Sequence, residues 1–413
     1  MKSRAFGFLI VLSILIGLDF YTFQGVKYLT KDMSKIWQLV LYIGYWSLTV
    51  FIIFTTFALY MGWFSRTDKN GRTLFFIAIA FNYFPKIIFF LFVVFDDLVR
   101  GMKWVYSSLR GSESGGTSED ISRSDFILKL GAAATTLPAV ATGMGILSGA
   151  HDYRVRKRTI VIPNLPKAFD GIRVAQLSDI HSGSFYNKKA VMGGIDLLNA
   201  EKPDVVFFTG DLVNDKAEEV EEYIPILDKI KADMGVYSVL GNHDYGDYVN
   251  WASATEKQNN LNDLKAAHKQ LGWNLLLDEH TGLKVDGEEL GIIGVENWGN
   301  GFAQYGNLNK AIENADYEAK ILLSHDPSHW DAQVRNMAPD IDLTLAGHTH
   351  GMQFGVELGD FRWSPVKYRY KQWADLYTEG NQHLYVNRGF GFIGFPGRIG
   401  ILPEITILEL KKA

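Results

Sequence analysis

The chain has 413 residues, 47% hydrophobic and 21% charged, a balance that excludes a largely disordered protein. It contains no cysteine, so disulfides, thiolate nucleophiles and cysteine-ligated zinc or iron–sulfur centres are excluded together. A net charge of −5 speaks against a nucleic-acid binder, and no nucleic-acid partner is expected.

That charge is unevenly spread. Residues 1–150 carry 14 Lys and Arg against 9 Asp and Glu, whereas the remainder carries 27 against 37. The first third also gathers its apolar residues into long uncharged blocks. Residues 5–21 open with AFGFLIVLSILIGL behind Lys2 and Arg4. No small-residue cleavage site follows, only Asp19, Phe20 and Tyr21, so the segment is read as a membrane helix that is retained. Residues 36–64 hold no charged side chain, and a bilayer core needs about 20 apolar residues in a helix. Residues 73–95 form a third span, interrupted by Asn82, Pro85 and Lys86, which are expected to kink the helix or face a bundle interior. Between this span and the next, residues 111–120 (GSESGGTSED) read as a flexible polar loop. Residues 130–149 are a fourth, weaker span rich in Ala, Gly and Thr. The string Ser122–Lys129 before it resembles a twin-arginine export signal, with Ser124 where the second arginine would stand.

Residues 1–150 are therefore expected to be an all-α transmembrane region, placing the protein in the cell membrane as a multi-pass chain in contact with membrane lipid. Residues 151–158 read as a basic linker. Its Arg154, Arg156, Lys157 and Arg158 favour the cytoplasmic face for the C-terminal domain, by the positive-inside rule.

From residue 159 to 413 the period changes. Short apolar runs each end in polar residues: 173–178, 204–209, 235–240, 290–295, 319–324, 343–346, 383–387 and 405–410. Runs of this length, apolar on both faces, predict strands in sheets covered by helices. Helical stretches at 188–200, 218–232 and 260–271 complete an α/β pattern. Polar clusters follow five of the strands: Asp179-Ile180-His181, Gly210-Asp211, Gly241-Asn242-His243-Asp244, His325 and Gly347-His348-Thr349-His350. In open α/β sheets ligand sites gather at the carboxyl ends of strands, so these clusters are expected to converge. Their His, Asp and Asn donors suit Mn, Fe, Zn or Co. Asp179 and His181, two apart, would share a face on an extended strand. Seven donors exceed one tetrahedral site and suit two metals with Asp211 between them.

The ordered series D-x-H, G-D, G-N-H-D, H and G-H-x-H, running from Asp179 to His350, resembles the calcineurin-like metallophosphoesterases. Within that family it is closest to a membrane-associated subgroup similar to the bacillar twin-arginine-exported phosphodiesterase, as Tyr385–Gly391 and Pro403–Thr406 also suggest. One departure is that Asn214, then Asp215, follow Asp211 at the second motif's end. The resemblance implies a four-layer α/β/β/α sandwich over 159–413. It implies one metal held by Asp179, His181 and His350, a second by Asn242, His325 and His348, and Asp211 bridging them. It implies His243 facing the phosphate, with Asp244 orienting that ring. The expected activity is a binuclear-metal phosphoesterase cleaving phosphodiester or pyrophosphate bonds with a metal-activated hydroxide. Its phosphoester substrate would be lipid-linked, for instance UDP-2,3-diacylglucosamine. The alternative is a non-catalytic membrane scaffold with a structural metal site, which would need neither His243 nor Asp244.

Three further features are ambiguous in sequence. Arg388 could hold a phosphate bidentately or form a structural ion pair. Gly389–Gly394 matches G-x-G-x-x-G, but Pro396 and Pro403 leave no helix for a dinucleotide site. The aromatic residues Phe354, Phe361, Trp363, Tyr368, Tyr370, Trp373 and Tyr377 could line a substrate wall, rest on a membrane interface or simply pack. Residues 245–273 are a candidate lid.

Overall fold

The computed structural model describes residues 2–61, 69–110, 118–359 and 361–413. The end of the second apolar run, at 62–64, and most of the polar loop 111–120 lie outside the described residues. The chain divides into two units, Met1–Met144 and Gly145–Ala413.

The first unit is helical: α1 (Lys2–Leu29), α2 (Lys35–Tyr60), α3 (Lys69–Arg110), α4 (Ser118–Ala134) and the start of α5 (Thr136–Leu147). Among the described residues, four segments are long and apolar enough to cross a membrane: Leu9–Leu29, Lys35–Ala58, Thr73–Leu109 and Asp125–His151. Helix α3 continues through Pro85, and Lys86 turns inward. Its Nζ lies 2.5 Å from Asp19 Oδ1 and 3.4 Å from Thr49 Oγ1, while the Tyr83 hydroxyl donates to Asp19 Oδ2 at 3.2 Å. A charge at this depth is tolerable only with such partners, which accounts for the polar interruption of an otherwise apolar span.

The second unit contains fourteen strands among the described residues. The first five are β1 (Arg154–Ile162), β2 (Arg173–Leu177), β3 (Val205–Phe208), β4 (Val236–Ser238) and β5 (Asn274–Leu275). Next come β6 (Glu279–Val285), β7 (Glu288–Gly294), β8 (Lys320–Leu323) and β9 (Leu343–Ala346). The last are β10 (Val356–Leu358), β11 (Phe361–Trp363), β12 (Asp375–Glu379), β13 (Gln382–Val386) and β14 (Glu404–Lys412). One sheet runs β1-β14-β2-β3-β4-β5 and the other β12-β13-β9-β8-β7-β6, with β10–β11 as a separate hairpin. Strand β1 begins inside the stretch read as a linker. It lies at a sheet edge, paired with β14 alone, and an edge strand accommodates the basic side chains of RVRKR.

The two sheets face each other across a core containing Val174, Phe207, Ile292, Ile321, Leu345 and Leu408. Neighbouring residues such as Ala175, Leu177 and Phe208 point to the other side. There they meet Val191, Ile195 and Leu198 of α6 (Lys188–Ala200). Ile293, Leu322 and Leu384 likewise meet Trp330 and Val334 on the far face of the second sheet. Both faces of each sheet are thus buried, and the result is a four-layer α/β/β/α sandwich. Full burial of each such side chain stabilises the fold by roughly 1.5–3 kcal/mol.

Helical expectations hold with two differences. The predicted helix 218–232 is two short turns, Glu218–Glu221 and Ile224–Leu227. Pro225, at the start of the second turn, has no backbone N–H to carry one helix into the other. The helix expected at 260–271 starts earlier, as Ala254–Gln270. Ser253 caps it by accepting from Glu256 N at 3.1 Å, and Glu256 accepts from Ala252 N at 2.9 Å. Leu264 and Ala267 pack into the core, and His268 bonds Ser238 Oγ at 3.0 Å. This helix therefore belongs to the outer layer of the sandwich rather than to a mobile lid.

Candidate metal centre

Every predicted donor lies just beyond the carboxyl end of a strand. Asp179 and His181 follow β2, Asp211 follows β3, Asn242 and His243 follow β4, His325 follows β8, and His348 and His350 follow β9. Sharing a strand face is not what brings Asp179 and His181 together. Both have left the strand and adopt the left-handed conformation, with φ of 53° and 48°. Asp211, His348 and His350 do the same, at 61°, 69° and 51°. Non-glycine residues in this region are strained, by about 1–3 kcal/mol each, and such strain concentrates at functional sites.

The donors form two groups, Asp179, His181 and His350, and Asp211, His325 and His348. Within each, the candidate ligand atoms lie within 4.8 Å of one another. In the first, His350 Nε2 is 3.1 Å from both Asp179 Oδ1 and His181 Nε2. In the second, His348 Nδ1 is 3.2 Å from His325 Nε2 and 2.8 Å from Asn242 Oδ1. Asp211 Oδ2 stands between the groups, 3.1 Å from His325 Nε2 and 3.5 Å from His181 Nε2. The close approach of Gly347 completes the pocket, because a Cβ there would sit 1.9 Å from Ser178 Oγ.

Ring nitrogens facing ring nitrogens with carboxylates between them are what a cation site requires. The outward-facing atoms fit as well. His325 Nδ1 donates to Thr209 O at 2.7 Å, which leaves the Nε2 lone pair for a metal. His348 Nε2 bonds the Tyr370 hydroxyl at 2.8 Å, which turns Nδ1 inward. Asn242 Nδ2 donates to the Tyr248 hydroxyl at 2.8 Å, so its Oδ1 is the atom offered to the site. Electrostatics agree. Burial lowers the His325 imidazole, yet adjacent Asp211 overrides it and pushes the group up to about 10. Burial raises the Asp179 and Asp211 carboxyls, but the surrounding imidazoles hold both below the usual range. The pocket calls for positive charge.

His243 lies at the rim, edge-on to His181 with ring centroids 5.0 Å apart. Its Nδ1 donates to Asn214 O at 2.6 Å, leaving Nε2 for a ligand. Asp244 does not make the hydrogen bond to this ring that the motif suggested. Its carboxylate accepts from the backbone N–H groups of Asp211, Leu212, Val213 and Gly241 at 2.8–3.3 Å, tying two ligand loops together. Burial, then neighbouring Asp211, raise its carboxyl to about 7.

Arg388 is not free to clamp a phosphate. Its buried guanidinium binds Glu404 Oε2 at 2.6 Å and Glu357 Oε1 at 2.8 Å, with Asp375 at 3.6 Å, so the ion-pair reading holds. The glycines after it serve the site differently from a dinucleotide loop. Phe390 N and Gly391 N donate to Ser178 O and Asp179 O at 2.8 Å, and a Cβ on Gly391 would lie 1.9 Å from Ile180 O. Arg398, with no signal in sequence, is buried beneath the centre, its Nη2 3.2 Å from His350 Nδ1. Tyr248 and Tyr370 are the other contributors that sequence reasoning missed; Asp326, legible beside His325, accepts from the Tyr370 hydroxyl at 3.3 Å. Tyr370 was legible only as one of several aromatic residues.

A sandwich with such a donor set at its strand ends defines a metal-centred hydrolase domain. Comparison with known proteins agrees. The family model described as calcineurin-like phosphoesterase matches residues 172–352. That of the probable calcineurin-like phosphoesterase transmembrane domain matches residues 3–150. The uncharacterized metallophosphoesterase YkuE of Bacillus subtilis is 30% identical over 271 residues, covering 63% of this chain and 87% of that one. A transmembrane protein with metallophosphoesterase domain from Danio rerio is 28% identical, covering 79% and 71%. The uncharacterized metallophosphoesterase Cj0846 of Campylobacter jejuni is 26% identical, covering 93% and 91%. The chain belongs to the calcineurin-like metallophosphoesterase family. It is a metal-dependent phosphoesterase with a transmembrane region.

Proposed function

We propose that the protein hydrolyses phosphodiester or pyrophosphate bonds at a two-metal centre, on a substrate carried by a lipid. The observation that carries the two-metal reading is the position of Asp211 Oδ2 between two separate donor groups. Asp179, His181 and His350 would hold one divalent cation, Asn242, His325 and His348 the other, with Asp211 shared. When bound, the cations supply Lewis-acid polarisation of the phosphoryl group and a nucleophile at neutral pH. The chain's own residues do the rest. Thr209 O, Tyr248 and Tyr370 fix ring and amide orientation. Asn214 O holds His243 with Nε2 directed outward, where it stabilises the phosphoryl oxygens or gives a proton to the leaving oxygen. Asp244 keeps the Asp211 and Asn242 loops in register.

The four apolar segments support a membrane-borne substrate, and the basic start of β1 supports the cytoplasmic face. The test is turnover of bis-p-nitrophenyl phosphate by the purified full chain with Mn²⁺. Chelation should abolish it. Normal turnover by Asp211→Ala would overturn the two-metal reading. A lipid pyrophosphate such as UDP-diacylglucosamine, compared with soluble diesters, tests the substrate class, and a reporter fused after Ala413 tests the side.

A further inference from the structure

The β10–β11 hairpin is built with its apolar face outward. Cross-strand pairing sets Val356 against Trp363, Glu357 against Arg362 and Leu358 against Phe361. Directly paired residues share a face, so Val356, Leu358, Phe361 and Trp363 form one side of the hairpin and Glu357 and Arg362 the other. The polar side turns inward. Glu357 pairs with Arg156 and Arg388, and Arg362 with Asp375, around a cavity of about 300 Å³. The apolar side is left open, with Leu358 72% and Phe361 61% exposed. Tyr368, just downstream, is 78% exposed. An amphipathic element in water turns its apolar face to the core, so a hairpin facing the other way implies a non-aqueous neighbour.

Its position says which one. The last membrane-compatible segment, Asp125–His151, includes Gly145, whose carbonyl accepts from Arg398 N at 3.1 Å. The next residue, Ile399, donates to Gln353 O at 2.8 Å and accepts from Gly355 N at 2.9 Å. The base of the hairpin is therefore stitched to the exit of that segment by a few backbone hydrogen bonds. Arg156, which grips Glu357, lies two residues into the strand that comes next. The cavity's four arginines are balanced by Glu357, Asp375, buried Glu404 and, in sequence, Asp360 between the two strands, and the excess positive charge comes from Lys367, Arg369 and Lys371 after the hairpin. The apolar strand face on either side of the turn and the basic residues that follow the hairpin together match an anionic bilayer surface.

We propose that the β10–β11 hairpin docks in the interfacial layer of the bilayer crossed by the apolar helices, with Leu358 and Phe361 among the acyl chains and the arginines at headgroup level. Gln353 at its base is three residues from His350, so docking sets the metal centre close to the headgroups.

The natural absence of cysteine makes the test clean. The full chain carrying Leu358→Cys or Phe361→Cys is spin-labelled and reconstituted in vesicles of phosphatidylcholine and phosphatidylglycerol, with exposed Lys284→Cys as the aqueous control. Docking predicts a ratio of oxygen to nickel-chelate accessibility several-fold higher at 358 and 361 than at 284. Equal ratios at all three sites would overturn it. Dipolar broadening between copies at 358 would also overturn it, in favour of a second chain. Turnover of bis-p-nitrophenyl phosphate by the same samples separates the two readings: lipid contact without turnover supports docking and counts against the phosphoesterase mechanism alone.

Discussion

The centre around Asp211 and the network around Arg388 are both buried and crowded with charge, yet they are built on opposite logic. Around Arg388 the bonds close on themselves apart from Arg156 Nε, which stands 3.6 Å from Glu404 Oε2. Glu404 takes its guanidinium, the Tyr385 hydroxyl and the Thr406 hydroxyl at 2.6–2.7 Å, and Glu357 and Asp375 are shared with Arg156, Arg158 and Arg362. Around Asp211 the bonds do not close. Imidazole nitrogens face each other, five donors sit in left-handed backbone, and His181 Nδ1 is buried without a hydrogen-bond partner. The first network completes a fold, and the second turns its donors toward a common point. Burial of charge alone tells nothing of function; closure of the hydrogen-bond set does.

The sharpest way to break this contrast is at its centre. Asp211→Ala should lower turnover by at least about 10⁴-fold and cut bound metal, read by elemental analysis of the purified protein. His243→Ala should cost about 10²–10⁴-fold while metal content is unchanged; loss of metal as well would make His243 a ligand. In the closed network the same kind of change should strike stability instead. Arg388→Met strands the buried Glu404 carboxylate and should cost about 3–5 kcal/mol in denaturant unfolding, with turnover per folded molecule retained. If Arg388→Met instead removed activity without loss of stability, the network would be part of the site.

A smaller effect lies between the two regions, at Glu219. Its carboxylate accepts from Asn214 N at 2.6 Å, and Asn214 O in turn holds His243. Burial raises this carboxyl from 4.5 to about 7. A raised value means that the contribution is fully present below about pH 4.5 and is lost as pH rises through about 7. Glu219→Gln should therefore be more stable than the parent above pH 7, by about 1–3 kcal/mol, with the difference vanishing near pH 4.5. Melting curves across that range measure it; a constant difference would exclude the titration.

Much of this was legible in sequence because both faces of the central strands are buried. Runs such as VVFF and LTLA announce themselves, and their polar followers mark the strand ends. Strands β1, β6 and β12 were not legible, since as charged or half-exposed edges they lack that signature. The donors were read from motif order, but how they meet was not: the left-handed turns at Asp179 and His181 leave no mark in residue type. The partners of Arg388 lie 31 and 16 residues away in the chain, on β10 and β14, and only folding brings them to it. Tyr248, Tyr370 and Arg398 act by position alone.

The pairing of β1 with β14 also dictates an order of events. The strand that leaves the membrane segment has a single neighbour, and that neighbour is synthesised after every other described strand. Until β14 is delivered, β1 has no strand to pair with in the sheet. The apolar helices will by then have left the ribosome. Insertion thus precedes closure, and a chain arrested before residue 404 should sit in the bilayer as an anchored, protease-sensitive intermediate.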